Sequence, residues 1–198
     1  MIRTMTAADA GWAAERHASL MPNSVFAAFG PGFLARVYLE LARSPRAVAF
    51  VDERCGKPCG FIAAAADRRK FLCGLMARHG AALAWAALRG GLANRSCRSL
   101  LLQTPRYLIR VPDSAAAELL FIAVSGEYRR SGAARALIAR ALDTLRERRI
   151  ARVVVSIETE NTAIAAILSG FGFRRIDRFM FAGKWNDVLA KSLEGAQA

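Results

Sequence analysis

The residues best suited to chemistry form a short turn, rich in arginine and small side chains, between an apolar run and a helical pattern. Arg129 and Arg130 supply positive charge, and the small residues Gly132, Ala133 and Ala134 let a ligand approach the backbone closely. The first amides of a helix have no partner within the helix, and the helix dipole adds positive charge beside them. Such a turn predicts a binding site for phosphate groups.

This turn resembles the coenzyme A-binding motif of the GCN5-related N-acetyltransferase (GNAT) superfamily. The motif has Arg or Gln, two variable residues, Gly, one variable residue, and Gly or Ala, and here Arg129, Gly132 and Ala134 hold the fixed positions. A strand pattern at 118–124 precedes the motif and a helical pattern at 133–148 follows it, as in the family. This context makes a weak six-residue pattern specific.

A second block downstream extends the resemblance. A β-branched run at 152–157, Asn161, a short helical pattern at 162–168 and the pair Gly172–Phe173 match the family's strand, Asn, helix and Leu-Gly-Phe ending. The first half of the chain also fits, because patterns for a strand, two helices and a hairpin precede the motif. The resemblance therefore covers essentially the whole chain.

The resemblance implies a fold of the α/β (α+β) class. The expected GNAT fold is a mixed, mostly antiparallel sheet, splayed in the middle between strands 118–124 and 152–157 and flanked by helices. Acetyl-CoA would lie in the opening, with its pantetheine paired to a strand and its pyrophosphate on the turn. The residues expected to bind this co-substrate are Ile122, Ala123, Val124, Arg129, Arg130, Ser131, Gly132, Ala133, Ala134 and Asn161.

The resemblance also implies direct transfer of the acetyl group to a primary amine in a ternary complex, which requires a base for the amine. Glu118, at the start of its strand, is the expected base; the alternative is an ordinary carboxylate paired with an arginine. Glu158 is a second candidate, weakened because strand alternation can direct its side chain to the far face. His17 is either a contributor to the acceptor site or a structural histidine, and the structural interpretation is favoured.

The sequence departs from the family at the group that protonates the leaving thiolate. Many relatives have Tyr seven residues after the Asn, where this chain has Leu168. Tyr128 belongs to the turn, and Ser169 would have to face the opening to replace it. Either the thiolate leaves with protonation by solvent, which a weakly basic thiolate allows, or catalysis has been lost. The first interpretation is favoured.

The remaining elements follow from spacing and turn residues. We expect a single domain over 1–190, with 67–112 as a basic helical insertion, and a tail over 191–198. The other expected elements are a strand at 1–3, a helix capped by Thr6 and ending near Leu20, a helix from Phe26 to Ser44, a hairpin of strands 47–51 and 60–65, helices broken at Gly90–Gly91 within the insertion, and a last strand at 179–183.

Charge is concentrated in the insertion. The chain has 29 basic and 16 acidic residues, a net charge of +13, and residues 67–112 hold nine basic side chains and only Asp67 as an acid. Such a segment is either a solvated face or a surface for anions. It would suit an anionic amine acceptor, such as an amino-sugar nucleotide. A protein N-terminus or a lysine side chain is the competing acceptor, and the sequence does not decide between them.

A different class of function stays open beside the enzyme. A catalytically silent GNAT-like module would use the basic segment to hold nucleic acid or an anionic membrane surface. Nucleic acid is disfavoured, because the segment has few aromatic side chains that would stack on bases. Peripheral membrane contact and a homodimer remain open.

Composition narrows the setting. A hydrophobic fraction of 54% excludes wholesale disorder, and the longest apolar stretch, 80–88, is too short to span a bilayer. The first ten residues lack the apolar core of an export signal, so a cytoplasmic location with reduced cysteines is expected. Cys55 and Cys59 lack further ligands at zinc-finger spacing, and no metal is expected. Trp12, Trp85 and Trp185 are expected in the core or an interface.

Overall fold

The structure is a computed structural model that describes residues 1–22, 24, 26–93, 116–181 and 183–194. These residues form a seven-stranded sheet with the order β1-β2-β3-β4-β5-β7-β6. Only β4 and β5 are parallel neighbours; the other neighbouring pairs are antiparallel. The strands are β1 (Ile2–Thr4), β2 (Ala47–Arg54), β3 (Lys57–Ala65), β4 (Ala117–Val124), β5 (Arg152–Glu158), β6 (Arg174–Phe181) and β7 (Lys184–Ser192). The predicted mixed, mostly antiparallel sheet is confirmed.

Helices cover both faces of the sheet. They are α1 (Ala10–Leu20), α2 (Pro31–Arg43), α3 (Arg68–Ala93), α4 (Ala133–Glu147) and α5 (Thr162–Gly170). On one face, here called the α1 face, Leu34 of α2 and Phe71 of α3 pack with Phe61 and Phe121 of the sheet. On the other, the α4 face, α4 and α5 cover a second apolar core. Burial of these two cores stabilises the sheet from both sides.

The sheet opens between β4 and β5. The two strands pair only where Ala117–Leu119 lie beside Val153–Val155. Ala63 of β3 pairs with Phe121 and Ala64 with Leu119, so Leu120 is the extra residue of a β-bulge at the end of this pairing. Beyond the bulge β4 pairs only with β3, and β5 pairs only with β7. We call the opening between residues 120–124 and 156–158 the cleft, and the predicted splay is confirmed.

The β2–β3 hairpin is longer than predicted. Both strands run into the polar segment 52–58, and the turn is only Cys55 and Gly56, whose φ angles are 51° and 71°. Two such residues form the tight turn that matches strand twist. Buried Asp52 is satisfied by Arg54, 3.1 Å away, so its charge does not end the strand.

Two helical boundaries also differ from the prediction. Thr6 is an N-cap with Asp9 in the first turn, as expected, but it caps a short 3₁₀ turn and α1 begins only at Ala10. Residues 27–29 form another 3₁₀ turn, and α2 begins only at Pro31, after Gly30 at a φ of 85°. The fixed φ of proline suits the first position of a helix, which is why the helix starts there.

Helix α3 runs through the predicted break. Its backbone is helical from Arg68 to Ala93, so the expectation of a break at Gly90–Gly91 was wrong. Glycine lowers helix stability by about 1 kcal/mol per residue without forbidding the helical conformation. The rest of the basic insertion, from residue 94 to 112, lies outside the described residues.

The C-terminal hairpin was incompletely predicted. Strand β6 covers 174–181 rather than 179–183, and β7 was missed; it continues through residues 191 and 192, which the sequence analysis assigned to the tail. The polar residues Asn186 and Asp187 interrupt the alternation of apolar and polar side chains by which β7 could have been predicted. Trp185 and Trp85 are 52% and 56% exposed, so the core expectation fails for both, whereas Trp12 packs edge-on against Phe61.

Candidate active site

The phosphate-binding turn predicted from the sequence leads from the end of β4 into α4. A 3₁₀ turn over Gly126–Tyr128 is followed by Arg130 and Gly132 at φ angles of 62° and 82°, and Gly132 caps α4. A positive φ favours glycine, and no atom lies within 4 Å of where its Cβ would be. The backbone is therefore open to a ligand at this point.

The amides of this turn are arranged for an anion. The first bond into α4 runs from the amide of Ala136 to the carbonyl oxygen of Gly132, 3.0 Å apart. Within the described residues, the amides from Arg130 to Arg135 donate no hydrogen bond. Ser131 donates its hydroxyl to the carbonyl oxygen of Tyr128, 2.6 Å away, so it braces the turn and offers a ligand its amide. This is the donor set of a helix N-terminal phosphate site.

Arg54 is a cation of this region that sequence reasoning missed. Its guanidinium lies 5.8 Å from the centre of the Tyr128 ring. Tyr128 belongs to the turn that carries the exposed Arg129 and Arg130. Arg54 also donates from Nε to Asp52 at 3.1 Å, which fixes the side chain. Only the pairing of the β2–β3 hairpin beside β4 brings it to the turn, so no local sequence signal indicates it.

The backbone of β4 supplies one wall of the cleft. The amide of Ser125 donates to the carbonyl oxygen of Cys59 in β3, 2.8 Å away. From that pair, hydrogen-bonded and non-hydrogen-bonded residues alternate along the two antiparallel strands. Ala123 therefore directs its backbone groups to β3, whereas Ile122 and Val124 direct theirs to the cleft. Of the three β4 residues predicted to bind the co-substrate, Ala123 does not offer it backbone bonds.

Glu118 lies where β4 and β5 are still paired, next to the cleft. It is 2% exposed and alternates with Ala117 and Leu119 of the α4-face core, so its side chain lies on the α1 face. Its Oε2 is 3.1 Å from Nε of Arg68, the first residue of α3. Glu118 thus has both the position expected of the base and the arginine partner of the alternative interpretation.

Glu158 shares a face with Glu118 rather than pointing to the far face. Val154 pairs with Glu118 in the parallel register, and the alternation of β5 puts Glu158 on that same face. The far-face orientation that counted against Glu158 is therefore not the one found. The carboxylate nevertheless binds Nζ of Lys184 at 2.6 Å, and this carboxylate raises the pKa of Lys184. Glu158 is therefore held in an ion pair at the end of the cleft.

Asn161 has a clear local task. Its Oδ1 accepts a hydrogen bond from the amide of Ile164 at 3.3 Å and so caps α5. It is exposed at the end of the loop that leaves β5, beside the cleft. Asparagine is a favoured helix cap because its short side chain reaches the first free amides.

None of the positions considered for the general acid takes the place of the tyrosine that many relatives have where this chain has Leu168. Leu168 is 1% exposed in the α4-face core, and Ser169 is exposed on α5. The ring of Tyr128 packs beneath Arg54 at the turn. Sequence reasoning missed Ser156, a hydroxyl of β5 on the α1 face; its signal was a polar residue in an otherwise β-branched run.

His17 belongs to a buried network. It is fully buried, with Nδ1 2.7 Å from the Tyr38 hydroxyl and Nε2 2.5 Å from Ser24 Oγ, and its ring packs 4.6 Å from that of Phe121. Burial lowers the pKa of His17 to about 4. The side chain is therefore neutral near pH 7 and ties the segment after α1 to β4, which agrees with the structural interpretation.

Among the described residues, no three His, Cys, Asp or Glu side chains come together as metal ligands would. Cys55 is exposed and Cys59 is buried. No helix among the described ranges is long and apolar enough to cross a membrane.

Comparison with known proteins identifies the family. The family model for the acetyltransferase (GNAT) family matches residues 19–173. The chain therefore belongs to the GNAT family of acetyltransferases, and as a member it is an acyltransferase that uses acetyl-CoA as co-substrate. No curated protein matches the sequence.

Solved structures share the fold at low sequence identity. A ribosomal-protein-alanine N-acetyltransferase from Brucella melitensis is 18% identical with a TM-score of 0.64, and the match covers 98% of this chain and 99% of that one. NAA60 from Arabidopsis thaliana, solved with acetyl-CoA, is 14% identical with a TM-score of 0.62, covering 98% and 99%. YncA of Salmonella typhimurium, solved with its cofactor acetyl-CoA, is 15% identical with a TM-score of 0.59, covering 100% and 96%.

Proposed function

We propose that this acetyltransferase moves the acetyl group of acetyl-CoA directly to a primary amine within the cleft, with Glu118 as the base. One observation carries the proposal: the opening left by the short β4–β5 pairing leads from the phosphate-binding turn to the buried carboxylate of Glu118. A single straight ligand, with phosphates at one end and a thioester at the other, suits such a path.

The co-substrate site follows from the backbone. The amides from Arg130 to Ala134 receive the pyrophosphate, and Arg129 and Arg130 add charge. Ile122 and Val124 pair with the pantetheine as a neighbouring strand would. Asn161, whose Oδ1 is committed to capping α5, borders the pantetheine at the other wall. We add Arg54 to this set as a cation beside the phosphates.

The chemistry needs few groups from the chain. The neutral amine attacks the carbonyl carbon, a C–N bond forms, the C–S bond breaks and its electron pair stays on sulfur. Glu118 takes the proton that the nitrogen loses, directly or through a water molecule. Arg68 holds the carboxylate in place through their ion pair. The thiolate is then protonated from solvent, and Glu118 returns its proton to solvent.

The acceptor that we propose carries an anionic group near its amine. Support comes from the net charge of +13, which attracts anionic molecules to the protein. A panel of primary amines with and without phosphate or carboxylate groups, including neutral peptides and lysine, ranks the classes by kcat/KM. We expect phosphate- or carboxylate-bearing amines to rank first; a preference for neutral peptide amines would contradict this acceptor class.

Glu118→Gln tests the base. With acetyl-CoA and the best amine of the panel, kcat should fall by about 10²- to 10⁴-fold, because the amide cannot accept the proton. Affinity for acetyl-CoA, measured by calorimetry, should stay unchanged. Glu158→Gln is the matched control: it lies on the same face but pairs with Lys184, and its kcat should match that of the parent. Equal losses in both variants, or none in Glu118→Gln, would overturn the assignment.

A further inference from the structure

Ser156 is a buried hydroxyl that the fold does not use. Its Oγ is inaccessible to solvent and has no hydrogen-bond partner within the described residues. Its neighbours along β5 are apolar, with Val155 and Ile157 packed against the α4-face core. The residue therefore carries the only polar side chain in the run from Val153 to Ile157.

The register places this hydroxyl at the mouth of the cleft. Glu118 pairs with Val154, and Leu119 pairs with Val155, which is the last pair of the two strands. Ser156 is the next residue of β5, where the strands have parted. Strand alternation puts it on the α1 face with Val154, and hence on the face of Glu118.

An unpartnered buried hydroxyl is costly to keep. Burying a polar group without a hydrogen bond destabilises a fold, and most buried polar groups in proteins are paired. At a fully structural position an alanine or valine would stabilise this strand. Residues that break the rules of stable packing concentrate where a ligand completes them.

We propose that Ser156 donates its hydroxyl hydrogen to the thioester sulfur as the C–S bond breaks. This inference rests on the proposed function. The bond's electron pair moves to sulfur, and the hydrogen bond stabilises the charge that develops there until solvent protonates the thiolate. Ser156 in this way supplies stabilisation that Leu168, at the usual tyrosine position, cannot.

The test compares Ser156→Ala with Ser156→Thr in the full chain, using coenzyme A itself as the probe. Ultraviolet absorbance of the thiolate reports the pKa of the bound coenzyme thiol without any acceptor. Ser156→Ala should raise that pKa by about 1 and lower kcat with the best amine by about 10- to 100-fold, as expected for loss of a hydrogen bond to a charged group. KM for acetyl-CoA should stay unchanged, and Ser156→Thr should restore both values.

Stability separates this role from a structural one. Ser156→Ala should unfold at the parent's temperature or a few degrees higher, because it removes an unsatisfied hydroxyl. Thr144→Val is the matched control. The hydroxyl of Thr144 in α4 is also buried and without a hydrogen-bond partner in the described chain, but it lies away from the cleft. Its removal should leave kcat unchanged.

The outcomes are distinct. If the parent does not bind coenzyme A, the proposed function fails and this inference with it. If the parent binds and Ser156→Ala leaves the thiol pKa and kcat at the parent's values, the inference alone is overturned. A loss of kcat that Ser156→Thr does not restore also overturns it.

Discussion

Buried polar side chains differ in what satisfies them, and this difference points to function. Asp9 is held by two hydrogen bonds of 2.8 Å from Arg3, and His17 by Tyr38 and Ser24. The hydrogen bonds of Asp9 and His17 are therefore satisfied within the protein itself. Ser156 has no such partner in the described chain, and Glu118 is buried beside the cleft. Ser156 and Glu118 both lie at the opening of the sheet, where a ligand could reach them.

His17 makes stability depend on pH. The unfolded chain protonates this side chain below about pH 6.5, while in the folded chain its pKa is about 4. The contribution of His17 is therefore complete above pH 6.5 and is lost as the pH falls toward 4. We expect the free energy of unfolding to drop by about 2 kcal/mol between pH 7 and pH 5 from this residue.

Urea unfolding of the parent and His17→Gln at the two pH values measures this contribution. The variant should lose the part of the pH dependence that His17 causes, whatever its absolute stability. His79→Gln replaces the chain's other histidine and should keep the parent's dependence. A parent whose stability is the same at both pH values would show that His17 is not kept neutral by burial.

At the residue level the sequence predicts groups whose role is local. Gly132 was predicted from its motif, and its positive φ and open Cβ position agree with that role. Arg54 and Ser156 were not predicted, because their positions depend on which strands pair and in which register. Backbone direction at Ala123 was mispredicted for the same reason, since alternation along β4 decides it.

Among the elements, α3 connects the site to the rest of the α1 face. Its first residue, Arg68, pairs with Glu118, and Phe71 and Leu75 are 2% exposed in the core. One turn further, Arg78 pairs with Glu40 of α2, which is 8% exposed. Two ion pairs and an apolar stripe thus fix the start of α3 beside the cleft.

The Arg78–Glu40 pair gives an asymmetric prediction. Arg78→Ala should lower the free energy of unfolding by about 1 to 3 kcal/mol, because it leaves the Glu40 carboxylate buried without its partner. Adding Glu40→Gln to that variant should restore most of the loss, since the buried charge is gone. Chemical denaturation of the single and double variants measures both values.

Arg69→Ala is the control for this pair, as Arg69 is exposed on the same helix and its loss should change stability by less than about 0.5 kcal/mol. If Arg78→Ala unfolds with the parent's free energy, the Arg78–Glu40 ion pair does not stabilise the fold.

The elements were predictable in proportion to their regularity. Helix α4 and strand β5 were predicted to within a residue, because strong periodicity and β-branched runs define them. Strand β7 was missed, because polar residues in its first half hide the alternation. The continuity of α3 through Gly90–Gly91 was mispredicted because local propensity is weaker than the context of a long helix.

For the whole molecule, ion pairs decide which basic residues offer unpaired charge to a ligand. In the described part of α3, three cations already have acidic partners: Arg68 with Glu118, Lys70 with Asp67 and Arg78 with Glu40. Charge at the phosphate-binding turn is different, since Arg129 and Arg130 are exposed there. The turn at the cleft is therefore a place where exposed positive charge can attract an anionic ligand.

We expect acetyl-CoA to bind with its pyrophosphate on the turn that ends at Gly132, the cap of α4. Thermal unfolding with and without acetyl-CoA tests it in the parent, in Gly132→Glu and in Gly183→Glu. The control glycine has a φ of 77°, near the 82° of Gly132, and neither has an atom within 4 Å of its Cβ position, so both variants carry similar backbone strain. Gly183 lies in the β6–β7 turn, away from the phosphate-binding turn.

Acetyl-CoA at about a hundredfold over its Kd should stabilise the parent and Gly183→Glu by about 2.7 kcal/mol. Gly132→Glu should show no such shift, because its side chain fills the phosphate position with a negative charge. Absence of a shift in the parent, or an equal shift in Gly132→Glu, would contradict the account.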